Sequence, residues 1–245
     1  MFCLDSRVGR VRVAFTDRHG GADAGTGESL DLADHAVAAN RARLAATFGV
    51  KEAEVLLMHQ VHGRDVAVVD RSAVGRPQPT ADALVTATTG LVLVARAADC
   101  VPVAIADPER GFAAVVHSGR PGTQAGVALA AVQRLRGLGA DGLHAWIGPR
   151  VCGACYEVPT AMRDEVAAVE PATWSTTRDD TPGLDLAAGV RAQLQRTGVD
   201  VHDLADLADP VGGRLMCTME SEEFFSFRRQ GATSGRMGVF AQVQP

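Results

Sequence analysis

The sequence lacks the features that place a protein in a membrane or on a nucleic acid. No stretch reaches the roughly 18 uninterrupted apolar residues that a transmembrane helix requires. Residues 1–7 show no charged region followed by a long apolar core, so no signal peptide is expected. The 24 Lys and Arg residues are outnumbered by 29 Asp and Glu residues and are scattered along the chain, giving a net charge of −5. We therefore expect neither an anionic membrane nor a nucleic acid as a partner.

The chain also has little cysteine and no sign of internal division. Its five cysteines are an odd number, and their spacing suggests no disulfide framework, so a cytoplasmic location is expected. It contains no internal repeat, no low-complexity tract and no convincing linker. With 47% apolar residues, the 245 residues can bury a sizeable core, which predicts a single domain over residues 1–245.

Apolar periodicity predicts an α/β (α+β) fold with a mixed sheet core and helices outside. Strands are predicted over residues 11–15, 55–58, 65–69, 83–86, 91–95, 101–106, 112–116, 143–147 and 239–243. Helices are predicted over residues 35–48, 125–135, 160–169 and 186–196, and a glycine-rich loop over residues 20–27. The strands at 101–106 and 112–116 are apolar throughout, which predicts a hairpin buried on both faces.

Three dispersed residues at the ends of apolar runs, His62, Cys100 and His117, are candidate metal ligands. Two imidazoles and one thiolate are a normal ligand set for zinc, and three protein ligands leave the fourth position open for water or substrate. Residue types alone also allow a structural interpretation, in which the histidines bond to backbone groups and Cys100 is a small core residue. Spacing cannot decide between the two, because the decision depends on whether the fold brings the three together.

Short motifs occur in a fixed order along nearly the whole chain. They are FTDRHGG (15–21), NR (40–41), HQVHG (59–63), ADALVT (81–86), ADC (98–100), VHSG (116–119), IGP (147–149), CYEV (155–158), FSFRR (225–229) and SGRM (234–237). In this order they resemble the YfiH/laccase-domain family, whose members are labelled polyphenol oxidase, purine nucleoside phosphorylase or peptidoglycan editing factor. The resemblance implies that His62, Cys100 and His117 are the metal ligands, and that layered sheets lie sandwiched between helices.

The resemblance also implies a reaction. It is zinc-dependent phosphorolysis of adenosine, inosine and S-methyl-5′-thioadenosine, with adenosine deamination as a side activity and copper as a possible alternative metal. The implied partners are a purine nucleoside and inorganic phosphate, and we expect a monomer or a homodimer. In one place the chain departs from the family pattern, because Arg120 and Pro121 stand where the family usually has Trp and Arg. Proline fixes φ, so the loop after His117 need not follow the usual path.

Phosphorolysis requires a phosphate site, and arginine binds phosphate through bidentate, charge-assisted hydrogen bonds. Among the arginines in family-like motifs, Arg41 and Arg228 are our candidates for phosphate contacts. Asn40 is a candidate cap or substrate contact, and Cys155 is a candidate pocket-lining residue. A surface salt bridge is the alternative role for any single arginine.

Other interpretations remain open at this stage. Cys152 and Cys155 form a CxxC pair, but no second CxxC or suitably spaced histidine pair accompanies them, so we assign no metal site there. Cys100 and His117 are also typical of a nucleophile–base pair of a cysteine hydrolase. Further alternatives are hydrolysis of an amide in a cytoplasmic peptidoglycan precursor, copper-dependent phenol oxidation, and a catalytically weak binding protein.

Overall fold

The computed structural model describes residues 2–19, 32, 37–206 and 216–245. The described residues form thirteen strands and six α-helices. The strands are β1 Phe2–Val8, β2 Val11–Thr16, β3 Val55–Leu56, β4 Val66–Val68, β5 Ala83–Thr86, β6 Val92–Ala97, β7 Val101–Asp107, β8 Phe112–Ser118, β9 His144–Ile147, β10 Trp174–Thr176, β11 Pro182–Leu184, β12 Asp200–Asp203 and β13 Met237–Val243. The helices are α1 Val37–Phe48, α2 Arg120–Ala125, α3 Val127–Gly137, α4 Thr160–Val169, α5 Leu186–Arg196 and α6 Phe227–Gln230.

Two large mixed sheets form the centre of the molecule. The five-stranded sheet has the order β1-β2-β13-β6-β3, in which only the β3–β6 pairing is parallel. The six-stranded sheet has the order β12-β9-β7-β8-β5-β4, and its two outermost pairings are parallel while the central ones are antiparallel. Strands β10 and β11 form a separate antiparallel hairpin.

The apolar side chains divide into three layers around these sheets. One cluster joins the facing surfaces of the two large sheets and includes Phe15, Leu93 and Val115. A second packs the outer face of the six-stranded sheet against α3, α4 and α5. The third packs the outer face of the five-stranded sheet against α1. The predicted α/β fold, with mixed sheets layered between helices, is confirmed.

Strand β7 is apolar from Val101 to Ala106 and ends at the buried Asp107. Ala104 and Ala106 face the second sheet, whereas Val101, Val103 and Ile105 face the helices. Because successive side chains of a strand point to opposite faces, a run covered on both faces has no polar position. The predicted hairpin of β7 and β8 is buried on both faces, as expected.

Several predicted elements differ in extent or were missed. The predicted helix at 125–135 is α3, and a further helix that was not predicted, α2, precedes it; Gly126, whose φ of 77° suits a glycine, divides the two. Strand β1 was not predicted because it is an edge strand that exposes Asp5 and Arg7, which break the apolar pattern. The short strands β10, β11 and β12 were also missed. The predicted loop at 20–27 and the start of the predicted helix at 35–36 lie outside the described residues.

Within the described ranges, every helix is too short or too polar to cross a membrane.

Candidate metal centre and adjoining cavity

The hairpin of β7 and β8 brings Cys100 and His117 together. Cys100 directly precedes β7, and His117 lies near the end of β8. The antiparallel register pairs Val101 with Ser118 and Pro102 with His117, so Cys100 lies beside the end of β8. Residues 17 positions apart in the sequence therefore become neighbours at one edge of the sheet, where the ends of strands open into loops.

A buried carboxylate, Asp82, connects His117 to His62. Asp82 precedes β5, which pairs with β8, and its carbonyl oxygen accepts a 2.8 Å hydrogen bond from the backbone N of His117. Its Oδ1 lies 2.9 Å from Nδ1 of His117. The same carboxylate accepts hydrogen bonds from the backbone N of Val61, His62 and Gly63, at 3.2, 3.0 and 2.7 Å. The loop that carries His62 is thus held against the strand that carries His117.

The three ligand side chains lie at a separation suited to one metal ion. Nε2 of His62 is 3.8 Å from Sγ of Cys100, and the possible ligand atoms of the three residues all lie within 4.8 Å of one another. The rings of His62 and His117 meet edge to face at 4.7 Å between centroids. His62 has a φ of 60° and Asp99, next to Cys100, a φ of 83°. Such values are uncommon for residues other than glycine and cluster at functional sites.

Gly119 leaves the space that this arrangement needs. A Cβ at this position would lie 2.6 Å from Cδ2 of His62 and 3.1 Å from Sγ of Cys100. Any side chain would therefore displace two of the three ligands. The ligand set fits zinc, which binds imidazole nitrogen and thiolate sulfur, and the three donors leave one position open towards the cavity described below.

The ionisation of Cys100 suits a metal ligand, whereas His117 would have to release a proton to a bound metal. Burial opposes ionisation of Cys100, but its hydrogen bonds to His117 and His62 outweigh burial and lower its pKa to about 6. Burial alone would lower the pKa of His117, but its hydrogen bonds to Asp82 and Cys100 raise the pKa to about 9. Cys100 is therefore mainly a thiolate at neutral pH, which is the form that binds metal.

A cavity of about 860 Å³ opens beside the three ligands. Four arginines line it, namely Arg96, Arg120, Arg228 and Arg236. Among the described residues, no carboxylate pairs with the guanidinium group of Arg120 or Arg228. The Arg228 guanidinium instead lies 4.5 Å from the centre of the Tyr156 ring. Phe227 and Leu186 add apolar surface, so the cavity combines positive charge with flat apolar walls.

The departure at Arg120 and Pro121 is accommodated by α2. Gly119 precedes the helix, Arg120 is its first residue, and Pro121 lies in the first turn. An N–H in the first turn has no partner within the helix, so proline costs little there. Arg120 reaches the cavity from this position.

The sequence model of a family described as multi-copper polyphenol oxidoreductase laccase matches residues 12–244 of the chain. The chain belongs to this family. The predicted resemblance to the YfiH/laccase-domain family is confirmed by this match and by the solved structures that share the fold. YlmD of Geobacillus stearothermophilus superposes with a TM-score of 0.80 at 28% identity, covering 98% of this chain and 94% of that one. YfiH of Bacillus licheniformis gives 0.78 at 25% identity, covering 96% and 93%.

Relatives in this laccase-domain family carry enzyme names. A protein of Streptomyces coelicolor named purine nucleoside phosphorylase is 51% identical over 241 residues, which cover 95% of this chain and 96% of the relative. A protein of Deinococcus radiodurans with the same name is 39% identical, covering 91% and 86%. These names support the conclusion that the chain is an enzyme.

The predicted substrate contacts separate into two groups. Arg228 lines the cavity beside the metal ligands. Arg41 donates instead to the carbonyl oxygens of Glu52 and Val55, at 2.8 and 2.5 Å, and faces a different cavity of about 390 Å³. Asn40 is buried on α1, and neither it nor Cys155 lines the cavity at the metal centre. The structure therefore does not bring Asn40, Arg41 and Cys155 to the metal ligands.

Sequence reasoning missed two residues of this site, Asp82 and Tyr156, and noted Arg120 only as a departure from the family pattern. Asp82 organises the ligands, Arg120 adds a cation, and Tyr156 forms part of the wall. Asp82 left one signal, because it stands directly before an apolar run that becomes a buried strand. A charge at such a position is rarely tolerated without a partner.

Proposed function

We propose that this chain is a zinc-dependent purine nucleoside phosphorylase with its metal at His62, Cys100 and His117. One observation carries the proposal: the open side of the three-ligand centre faces a cavity whose wall holds Arg120 and Arg228, two arginines that pair with no carboxylate among the described residues. The enzyme names of the relatives support the same conclusion.

Zinc bound by these three residues would polarise a substrate group or activate a water molecule. The role of Asp82 is to hold His62 and His117 in place. Its bond to Nδ1 of His117 leaves Nε2 directed towards the ligand position, as is usual for metal-binding histidines.

Phosphorolysis joins a phosphate oxygen to the anomeric carbon of the ribose and breaks the glycosidic bond, whose electron pair leaves with the purine. Arg120 and Arg228 would hold the phosphate and direct it at that carbon. Asp99 fixes the segment of Arg228, since it accepts 2.7 Å and 2.6 Å hydrogen bonds from the backbone N of Arg228 and from Oγ1 of Thr218. Burial raises the pKa of Tyr156, so its hydroxyl stays protonated and can donate a hydrogen bond to the substrate.

The proposed substrates are adenosine, inosine and S-methyl-5′-thioadenosine together with inorganic phosphate, with adenosine deamination as a side activity. A cavity of about 860 Å³ has room for a nucleoside and phosphate, because pockets for small ligands are commonly about 300–1,000 Å³. We also propose a cytoplasmic location, because all five cysteines are free.

A second candidate is a cysteine hydrolase that uses Cys100 without metal. The observation in its favour is the chain of contacts from Asp82 through His117 to Cys100, which has the order of a carboxylate, a base and a nucleophile. The sulfur of Cys100 cannot act as a nucleophile while it is bound to a metal.

The decisive experiment is an HPLC assay with protein whose zinc content has been measured. Adenosine is incubated with and without phosphate, beside a Cys100→Ala variant. We expect adenine to be released only with phosphate, and not by the variant. Turnover that persists in zinc-free protein but is lost in Cys100→Ala would support the cysteine nucleophile. Zinc-loaded protein without nucleoside turnover would instead favour the amide hydrolase of a peptidoglycan precursor.

A further inference from the structure

A second group of potential ligands lies apart from His62, Cys100 and His117. It consists of Cys152, Cys155, Cys217 and Glu220, whose ligand atoms all lie within 4.8 Å of one another. The backbone N of Cys152 donates to Sγ of Cys217 at 3.5 Å, and Sγ of Cys152 is 3.9 Å from Oε2 of Glu220. The fold therefore places two further donors, Cys217 and Glu220, beside the CxxC pair, although both are distant from it in the sequence.

Two tight turns of equal spacing present the four donors. In the first, the carbonyl oxygen of Cys152 accepts a 3.0 Å hydrogen bond from the backbone N of Cys155. In the second, the carbonyl oxygen of Cys217 accepts a 3.2 Å hydrogen bond from the backbone N of Glu220. Each turn therefore directs residues i and i+3 to the same side, which is the ligand spacing that structural zinc sites use.

The backbone holds the two turns against each other. The N of Arg150 donates to the carbonyl oxygen of Met216 at 3.2 Å, and the N of Thr218 donates to the carbonyl oxygen of Arg150 at 3.0 Å. These bonds form a parallel bridge between Arg150, two residues before Cys152, and Cys217, the first residue of the second turn. The position of the sulfurs is therefore set by main-chain pairing and does not depend on flexible side chains alone.

One cation beside the group, Arg178, favours the ionised donors, whereas the hydrogen bond with Cys217 raises the pKa of Cys152 and burial raises that of Cys155. Nη2 of Arg178 lies 3.3 Å from Sγ of Cys155 and also forms a hydrogen bond with the carboxylate of Glu220. The backbone N of Arg178 donates to the carbonyl oxygen of Ala154 at 3.1 Å, which fixes the arginine to the first turn. Three thiolates and a carboxylate around a divalent cation carry a net charge of −2, part of which this guanidinium offsets. A cavity of about 450 Å³ beside Cys155 and Glu220 gives an ion a way in.

We propose that Cys152, Cys155, Cys217 and Glu220 bind a second zinc ion in a closed, structural site. Four protein donors fill a tetrahedral shell, so this site has no open position for substrate. Thiolate sulfur selects zinc over magnesium and calcium, which prefer oxygen. The proposal does not depend on the proposed function, since it concerns none of the residues at the first centre.

The site would fasten two segments that form the wall of the large cavity. Val151 precedes the first turn and Tyr156 follows it, and both line the cavity. The second turn leads to Arg228 through residues that the structure describes without a gap. A metal that ties the turns together therefore holds Tyr156 and Arg228 at a fixed separation.

The test uses Co²⁺ as the probe in the Cys100→Ala variant of the full chain. That substitution removes the thiolate of the first centre, so an intense sulfur-to-cobalt charge-transfer band in the near ultraviolet must come from the second group. We expect the band to be present in Cys100→Ala and absent in Cys100→Ala combined with Cys155→Ser and Cys217→Ser. A Cys100→Ala protein that takes up cobalt without this band would overturn the proposal.

The number of zinc ions per chain, measured by elemental mass spectrometry, provides a second test. Cys155→Ser should retain one zinc ion per chain fewer than wild-type protein, and Cys100→Ala should still retain the ion of the second group. The partly exposed group of His144, Asp200 and His202 also brings its ligand atoms within 4.8 Å, so His144→Ala serves as the control and should retain as much zinc as wild-type protein. Unchanged zinc in Cys155→Ser would contradict the proposal. So would an intact mass that shows a disulfide in freshly reduced, metal-exposed protein.

Discussion

Oδ1 of Asp82 lies 2.9 Å from Nδ1 of His117, and both side chains are buried. The same oxygen accepts a 3.0 Å hydrogen bond from the backbone N of His62. One carboxylate therefore orients one metal ligand through its ring and a second through its backbone. Because the bond engages Nδ1 of His117, Nε2 is left for the metal, and the ring cannot rotate without losing a buried hydrogen bond.

We expect Asp82→Asn to lower zinc affinity by about 10- to 100-fold, as removal of a partner of a metal-binding histidine commonly does. An amide has one accepting oxygen, so it cannot bond at once to Nδ1 of His117 and to the backbone N of both Val61 and Gly63. Competition with a chromophoric chelator measures the affinity.

Asp107→Asn is the matched control for this substitution. Asp107 is also buried, and its carboxylate accepts hydrogen bonds from the backbone N of Glu109, Arg110 and Asp141. It contacts no metal ligand, so its substitution should reduce stability and leave zinc affinity unchanged. Equal losses of affinity in the two variants would show that the effect of Asp82→Asn is general and not specific to the centre.

Gly119→Ala should disrupt the metal centre although it adds only one methyl group. The new Cβ would lie 2.6 Å from Cδ2 of His62, and a separation under 3.0 Å forces a shift. We expect less zinc per purified chain and loss of activity. Gly137→Ala at the end of α3 is the control, because a Cβ there meets nothing within 4 Å, and alanine should stabilise the protein by about 0.4–1 kcal/mol by restricting the unfolded chain. Full zinc content in Gly119→Ala would contradict the packing argument.

The three candidate metal ligands and the layered fold could be predicted from the sequence, but the contacts that organise the site could not. His62, Cys100 and His117 each follow an apolar run and lie in recognisable motifs. That they converge depends on strand register, which pairs Pro102 with His117 and Ala83 with Val116. Register is set by long-range pairing that single-sequence patterns do not encode, so the role of Asp82, 35 positions before His117, was not visible.

The candidate substrate contacts that lie away from the three candidate ligands have a similar physical explanation. Arg41 lies within a family-like motif, yet its guanidinium satisfies the carbonyl oxygens of Glu52 and Val55 next to β3. A motif shows which residue type stands at a position. It does not show whether that residue supports the fold or contacts a substrate. Cys155 likewise belongs to a group completed by Cys217 and Glu220, more than sixty positions away in the sequence.

Substitution of the cavity arginines tests the phosphate site. We expect Arg120→Ala and Arg228→Ala each to raise the KM for phosphate by about 10-fold or more, since hydrogen bonds to charged groups contribute about 1.5–3 kcal/mol. Arg134→Ala, at an exposed position of α3 that does not line the cavity, should leave the KM unchanged. The measurement is the phosphate dependence of adenine release at saturating adenosine. An unchanged KM in both cavity variants would place phosphate elsewhere.

The ion pairs of Asp203 should control the acid stability of the edge of the six-stranded sheet. Arg150 bonds to both carboxylate oxygens at 2.5 and 2.6 Å, and Arg191 adds a bond at 2.8 Å. Burial alone would raise the pKa of Asp203, but the charge and hydrogen bonds of Arg150 outweigh it and lower the pKa. At neutral pH, Asp203→Asn should lower the free energy of unfolding by roughly 3–5 kcal/mol, the usual cost of breaking a buried ion pair.

The sign of the pH dependence follows from the lowered pKa. A carboxyl with a lower pKa in the folded state stabilises the fold above its unfolded pKa of about 3.9, and the contribution is lost as the pH falls through the folded value. The difference between wild type and Asp203→Asn in urea unfolding should thus be constant near neutrality and shrink below about pH 4. Asp5→Asn is the control: it breaks the more exposed pair with Arg12 and should cost about 0–1 kcal/mol. A difference for Asp203→Asn that grew on acidification would mean that burial outweighs the arginines and that the pKa of Asp203 is raised.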